Sequence, residues 1–135
     1  MITYYPDVDT VVLDAQALSL WLDQDRRHVA RMDAFLESRT PLVVCANTLI
    51  ELATHPEHRR LGWMTSRTRV EPVTATVASQ AAVLLREAGM SGHRHAIDAS
   101  VVAVALNEPG STMVMTSDVD DMDRLAQGRL ALMPV

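Results

Sequence analysis

The chain has 135 residues, 48% of them hydrophobic and only 4% aromatic, so it suits one domain with a core built mainly of Val, Leu, Ala and Met. A formal net charge of −5 argues against a general nucleic-acid coat, which would be basic, and a single cysteine, Cys45, excludes an internal disulfide or a cysteine-based zinc knuckle. No apolar run approaches the ~18 residues of a membrane span, and the opening MITYYPDVDT lacks the basic start and apolar centre of a signal peptide, so a cytoplasmic protein is expected.

In chain order, Thr10 to Leu13 is a short apolar run of strand type that ends at Asp14, and AQALSLWL continues with helical spacing. RRHVARMDAFLESR then puts Val29, Met32, Phe35 and Leu36 on one helical face. PLVVC (41–45) predicts a second strand, followed by a helix over ANTLIELATH that stops before Pro56. Residues 57–69 read as irregular and basic. A short strand over 69–73 leads into the helix ATVASQAAVLLREAG, with Gly89 as its stop.

The segment SGHRH reads as a loop before a helix starting near Asp98 and ending before Pro109. A strand over Thr112 to Thr116, a short helix from about Val119 to Gln127 and a last strand, LALMPV, complete the chain. Strands alternating with helices imply a three-layer α/β/α sandwich around a mostly parallel sheet. No repeat or linker divides it, so residues 1–135 are expected to form one domain.

In an open parallel sheet, sites form where loops converge at the carboxyl ends of the strands. Asp14 follows the first strand directly, and Asp118 lies two residues beyond the strand that ends at Thr116. Glu51 is placed one turn into the helix after the second strand, and Asp98 at the start of the helix that leads to the Thr112–Thr116 strand. All four can therefore reach one cleft. Each also has a plain alternative. Asp14, Asp98 and Asp118 can serve as helix N-caps worth ~1 kcal/mol each. Asp118 can instead be a solvated member of the acidic run with Asp120, Asp121 and Asp123, and Glu51 can sit on an exposed helix edge.

Glu51 and Asp98 stand among apolar neighbours, where an unpaired carboxylate is costly. Clustered carboxylates repel one another and destabilise a fold, and a divalent cation reverses that cost. Oxygen-only ligands with no cysteine or histidine expected nearby suit Mg²⁺ or Mn²⁺ rather than zinc, and such ions activate water and stabilise charge on a phosphate.

The segments VVLDAQAL around Asp14, ANTLIEL around Glu51, HAIDASVVAVAL around Asp98 and VMTSDVDDMDRLA around Asp118 together resemble the PIN-domain family, and within it the VapC-type toxins. The ordered set spans essentially the whole chain. The resemblance implies a Mg²⁺- or Mn²⁺-dependent endoribonuclease with Asp14, Glu51, Asp98 and Asp118 as its acidic quartet, and Asp14, Asp98 and Asp118 as the direct metal ligands. It further implies an auxiliary role for Thr116 and for Asp120 or Asp121, a homodimer, and a small cognate antitoxin as partner. The chain departs from the family at Ala15 and Gln16, where Ser, Thr or Asn often follows the first Asp, and at Met122, where an aromatic is common. A second reading keeps the fold as a non-catalytic module that binds RNA or protein, with the carboxylates as caps.

Residues 58–69 hold four arginines and Trp63, and Arg59, Arg60 and Trp63 are candidates for phosphate contact and base stacking. A solvated loop or a protein-binding surface is the alternative. The pairs His55/His58 and His93/His95 lack a third nitrogen or sulfur ligand and read as flexible loop histidines, while Cys45 reads as a small core residue. Asp7-Val8-Asp9-Thr10 imitates the DxDxT of haloacid-dehalogenase phosphatases, but it precedes its strand, and that chemistry needs a lysine, of which the chain has none.

Overall fold

The computed structural model describes residues 7–135; residues 1–6, on which the signal-peptide expectation partly rests, lie outside the described residues. The strands are β1 (Thr10–Leu13), β2 (Leu42–Cys45), β3 (Arg69–Glu71), β4 (Thr112–Thr116) and β5 (Ala131–Pro134). The helices are α1 (Ala15–Leu22), α2 (Arg26–Glu37), α3 (Thr48–Glu51), α4 (Leu61–Thr65), α5 (Ala75–Ala88), α6 (Gly92–Asn107) and α7 (Val119–Ala126), with a 3₁₀ turn over His58–Arg60. The strands pair in parallel in the order β3-β2-β1-β4-β5, so β1 is central and the sheet is wholly parallel.

Residues alternate across the sheet and build two cores. Val11, Leu13, Leu42, Val44, Met113 and Met115 face one side, against Leu18, Trp21 and Leu22 of α1 and Met32 and Phe35 of α2. Val12, Val43, Cys45 and Val114 face the other, against α5, α6 and α7. This is the expected α/β/α sandwich. Both faces are covered, which is why β1, β2 and β4 are apolar at consecutive positions rather than alternately. A charge at Val12, which is fully buried, would break the second core. No helix among the described residues is long and apolar enough to cross a membrane.

Local chemistry sets the helix ends. The Asp25 carboxylate accepts from the His28 N–H at 2.9 Å to start α2, and Thr74 Oγ1 accepts from the Val77 N–H at 3.2 Å to start α5. Gly89 closes α5 at φ 65°, a left-handed position that a side chain would disfavour.

Three sequence expectations change. The helix predicted over ANTLIELATH keeps only Thr48–Glu51: the chain leaves helical geometry at Leu52, whose side chain is buried while Ile50 is 68% exposed. Residues 57–69, expected to be irregular, contain the 3₁₀ turn and α4, anchored by the buried Met64. The SGHRH loop is helical instead: α6 starts at Gly92 and bends at His95, the one non-helical residue within it (φ −119°, ψ 19°).

Candidate metal centre

The strand order reverses between β1 and β4, because the chain builds outward from β1 to β2 and β3 and then returns to its other side. At such a switch point the loops leaving the strands diverge and open a crevice at the carboxyl end of the sheet. Asp14 follows β1 and Asp118 follows β4, so the topology sets them on the two sides of that crevice. Asp98 comes from α6, packed beneath.

One carboxylate oxygen from each of Asp14, Asp98 and Asp118 falls within 4.8 Å of the others. Asp14 is buried, Asp98 half-buried and Asp118 exposed, so the group runs from the core to the solvent. Thr116 ties it together: its hydroxyl donates to Asp14 Oδ2 at 2.8 Å and accepts from the Asp118 N–H at 3.0 Å. Thr116, expected from the sequence beside the quartet, thus bridges Asp14 and the start of α7.

The cap alternative fares poorly. Asp14 and Asp118 do occupy the N-cap positions of α1 and α7, but neither side chain accepts a capping hydrogen bond. Asp98 lies in the first turn of the helical segment that follows the His95 kink, past the cap position, and its carboxylate meets His95 Nδ1. Among the described residues no Arg forms an ion pair with Asp14, Glu51, Asp98 or Asp118.

Electrostatics reflect the crowding. Burial pushes the Asp14 carboxyl above its usual range, against the Ala15 N–H and Thr116 hydroxyl that favour its charge, and Asp98 and Asp118 raise it further. Burial likewise raises Asp98; a hydrogen bond from His95 opposes the shift, and Asp118 and Asp121 add to it. Glu51 is exposed rather than enclosed by its apolar neighbours, and it stands outside the tight group. Its carboxyl is still held high, by partial burial and then by Asp14, Asp98 and Asp118, which places it at the rim of the same negative field.

Two residues were weighed differently in the sequence. His95, read as a flexible loop residue, has a side chain only 14% exposed, with Nδ1 at 3.3 Å from Asp98 Oδ2 and 3.9 Å from Asp121 Oδ2. The signal was present as His95-x-x-Asp98, a spacing that brings two side chains together on a helix. Asp121 joins His95 and Asp98 as a second group with ligand geometry, whereas Asp120 is exposed and belongs to neither group.

The basic segment is largely committed to its own packing. Arg60 donates to the Leu22 carbonyl at 3.4 Å and pairs with Glu57, while Arg69 binds Glu71 and Glu108. Trp63 meets Trp21 edge-on, with centroids 5.6 Å apart, and the Arg67 guanidinium lies 4.3 Å above its ring. One stacking face of Trp63 is therefore occupied. Arg59 alone of the three candidates is exposed without a hydrogen bond or ion pair among the described residues. Arg60 meets the far end of α1, an eight-residue helix of length ~12 Å, so it stands well away from Asp14. His55 and His58 are not loose either: His55 Nε2 lies 3.1 Å from Asp23 Oδ1, and His58 Nδ1 lies 3.0 Å from the His55 carbonyl. Cys45 is buried in the second core, where burial pushes its thiol up, as suits a packing residue.

Comparison with known proteins agrees with this layout. A family model described as PIN domain matches residues 11–128. Among solved structures, VapBC2 from Rickettsia felis bound to a DNA fragment from their promoter superposes with a TM-score of 0.68 at 12% identity, covering 93% of this chain and 98% of that one. FitAB bound to an IR36 DNA fragment gives a TM-score of 0.68 at 21% identity over 93% of this chain and 94% of that one. FitAcB from Neisseria gonorrhoeae gives 0.67 at 21% identity over 92% and 96%. These likenesses concern the fold. No curated protein sequence gives a significant match.

Proposed function

The chain belongs to the PIN-domain family, and from that premise we propose that it is a Mg²⁺- or Mn²⁺-dependent endoribonuclease, the toxin of a VapBC-type pair. The observation that carries the reading is the approach of Asp14, Asp98 and Asp118 to within 4.8 Å without a cap or an arginine to neutralise them. Three mutually repelling carboxylates held by packing store unfavourable energy that a divalent cation would release. All three are hard oxygen donors, which fits Mg²⁺ or Mn²⁺. When bound, the ion supplies Lewis-acid stabilisation of the charge that develops on a phosphate.

The protein's own residues do the rest. The Thr116 hydroxyl occupies one oxygen of Asp14 and so fixes that carboxylate's orientation, leaving its other oxygen for a ligand. Its bond to the Asp118 N–H holds the start of α7 in register with β1. Glu51, exposed outside the tight group yet within the field of its three carboxylates, would serve as a further ligand or position the water that attacks the phosphodiester in line. Asp121 would assist from the side of His95 and Asp98, with the exposed Asp120 as the other auxiliary acid. Arg59, exposed and without a hydrogen bond or ion pair among the described residues, is the arginine of the basic segment freest to meet substrate phosphate at a distance from the carboxylates, with Arg60 and Trp63 beside it in the chain.

The VapBC2 and FitAB complexes, together with the VapC-type motifs, support a small antitoxin as partner. A homodimer, a cytoplasmic location and a single PIN domain over 1–135 complete the reading. The test is cleavage of RNA with Mn²⁺ or Mg²⁺ by the wild type and by Asp98→Asn. Cleavage that needs the ion and vanishes in a folded variant supports the proposal. Equal traces in both proteins, or cleavage that persists in EDTA, would sink it.

A further inference from the structure

His95 is the nitrogen donor nearest the carboxylates, and its setting is specific. The bend in α6 falls on this residue, and its ring is largely withdrawn from solvent. The Nδ1 edge of the ring lies against the carboxylates: Asp98 Oδ2 at 3.3 Å on its own helix and Asp121 Oδ2 at 3.9 Å on α7. Two atoms bound to one ion at ~2.1 Å each lie ~3 to ~4 Å apart, the range these contacts span. One ligand atom from each of His95, Asp98 and Asp121 also lies within 4.8 Å of the others, and Asp98 is common to both groups.

We propose that His95, Asp98 and Asp121 form a second cation position, which shares Asp98 with the first and, through the His95 nitrogen, takes a transition ion such as Mn²⁺ in preference to Mg²⁺. The inference rests on the metal site of the proposed function only through Asp98. Imidazole binds first-row transition ions well and is a poor ligand for Mg²⁺, which demands oxygen. The first position is built from oxygen alone and discriminates little between the two ions. The pair of positions therefore differs in selectivity, with the nitrogen on one side only.

Pulsed electron paramagnetic resonance of Mn²⁺ added to the intact protein tests this without reference to activity. A directly bound histidine nitrogen gives a ¹⁴N modulation, and labelling the wild type with ¹⁵N-histidine must convert it to the ¹⁵N pattern with no mutation at all. In His95→Ala the modulation should disappear, and titration should show the weaker or second Mn²⁺ equivalent losing affinity by at least ~10-fold, the scale on which metal sites respond to altered ligation. Mg²⁺ binding should change less than ~2-fold, since that ion makes no use of the nitrogen. Mn²⁺ bound to wild type with no nitrogen modulation, or with modulation that survives in His95→Ala, overturns the His95 assignment and leaves the carboxylate site standing. No Mn²⁺ binding by wild type overturns both.

Discussion

Asp9 stands one residue before β1 and Asp14 one residue after it, and the protein treats these two carboxylates in opposite ways. Asp9 Oδ2 accepts from the Ser111 N–H at 2.8 Å and from the Ser111 hydroxyl at 3.3 Å, which clamps the turn entering β4. Gly110, at φ 76°, leaves room for that clamp; a Cβ there would collide with the Asp9 carboxylate. Asp14, in contrast, is buried beside two other carboxylates, and the Ala15 N–H and Thr116 hydroxyl that it accepts from do not offset burial and those charges. An isolated carboxylate satisfied by hydrogen bonds is structure, and one packed against like charges is poised for a cation. The DVDT sequence that imitates a phosphatase motif is thereby explained as a loop clamp at the amino end of the sheet.

The sharpest way to break this comparison is to neutralise each end of β1 in turn. Asp14→Asn should lower metal-dependent RNA cleavage at least ~100-fold, because the variant loses a charged ligand where transition-state charge is stabilised. Asp9→Asn should leave cleavage within ~2-fold while lowering stability by about 1 kcal/mol, the worth of a weakened exposed hydrogen bond, read from the urea midpoint. Comparable losses of cleavage in both would show that the two ends do not differ in kind.

Asp98→Asn sharpens the energetic half of the contrast. In EDTA the variant should melt a few degrees higher than wild type, since a repelling charge is gone, and added Mn²⁺ should raise the melting temperature of wild type only. A variant that melts lower in EDTA would mean that the carboxylates are not strained. Smaller again is the arginine effect: Arg59→Ala should weaken RNA binding a few-fold and reduce the salt slope by about one unit, with Arg60→Ala acting mainly on stability through Leu22 and Glu57.

The smallest expected effect uses a buried group that belongs to neither carboxylate group. Burial pushes the His28 imidazole below its ordinary range, and Arg31 adds to the shift while Asp25 and a backbone contact at Ala17 oppose it. The unfolded chain then binds the extra proton as pH falls through ~6.5, so His28 costs stability below that pH and nothing well above it. The gap in melting temperature between wild type and His28→Leu should therefore change between pH 7 and pH 5, with wild type losing ground at the acid end.

Much of this was legible in the sequence because the relevant signals are local. Apolar runs of four or five residues marked β1, β2 and β4, and Asp14 and Asp118 could be placed from strand ends alone. What escaped depended on tertiary packing. The apolar residues of ANTLIELATH matched a helix, but burying Leu52 rather than Ile50 ends it after four residues. Gly92 and Ser91 pointed to a loop at SGHRH, whereas α6 absorbs the change of direction at one residue, and that bend is what aims His95 at Asp98. Glu51 looked enclosed from its neighbours in the chain; the turn after it leaves it at the rim.

Where a cation sits decides whether the three carboxylates are ligands. Crystals soaked in Mn²⁺ and measured for anomalous scattering should show a peak with carboxylate oxygens of Asp14, Asp98 and Asp118 all at ~2.2 Å, close to the distances of other hard divalent ions. The absence of any peak at the carboxyl ends of β1 and β4, in crystals of protein that still cleaves RNA with Mn²⁺, would contradict it.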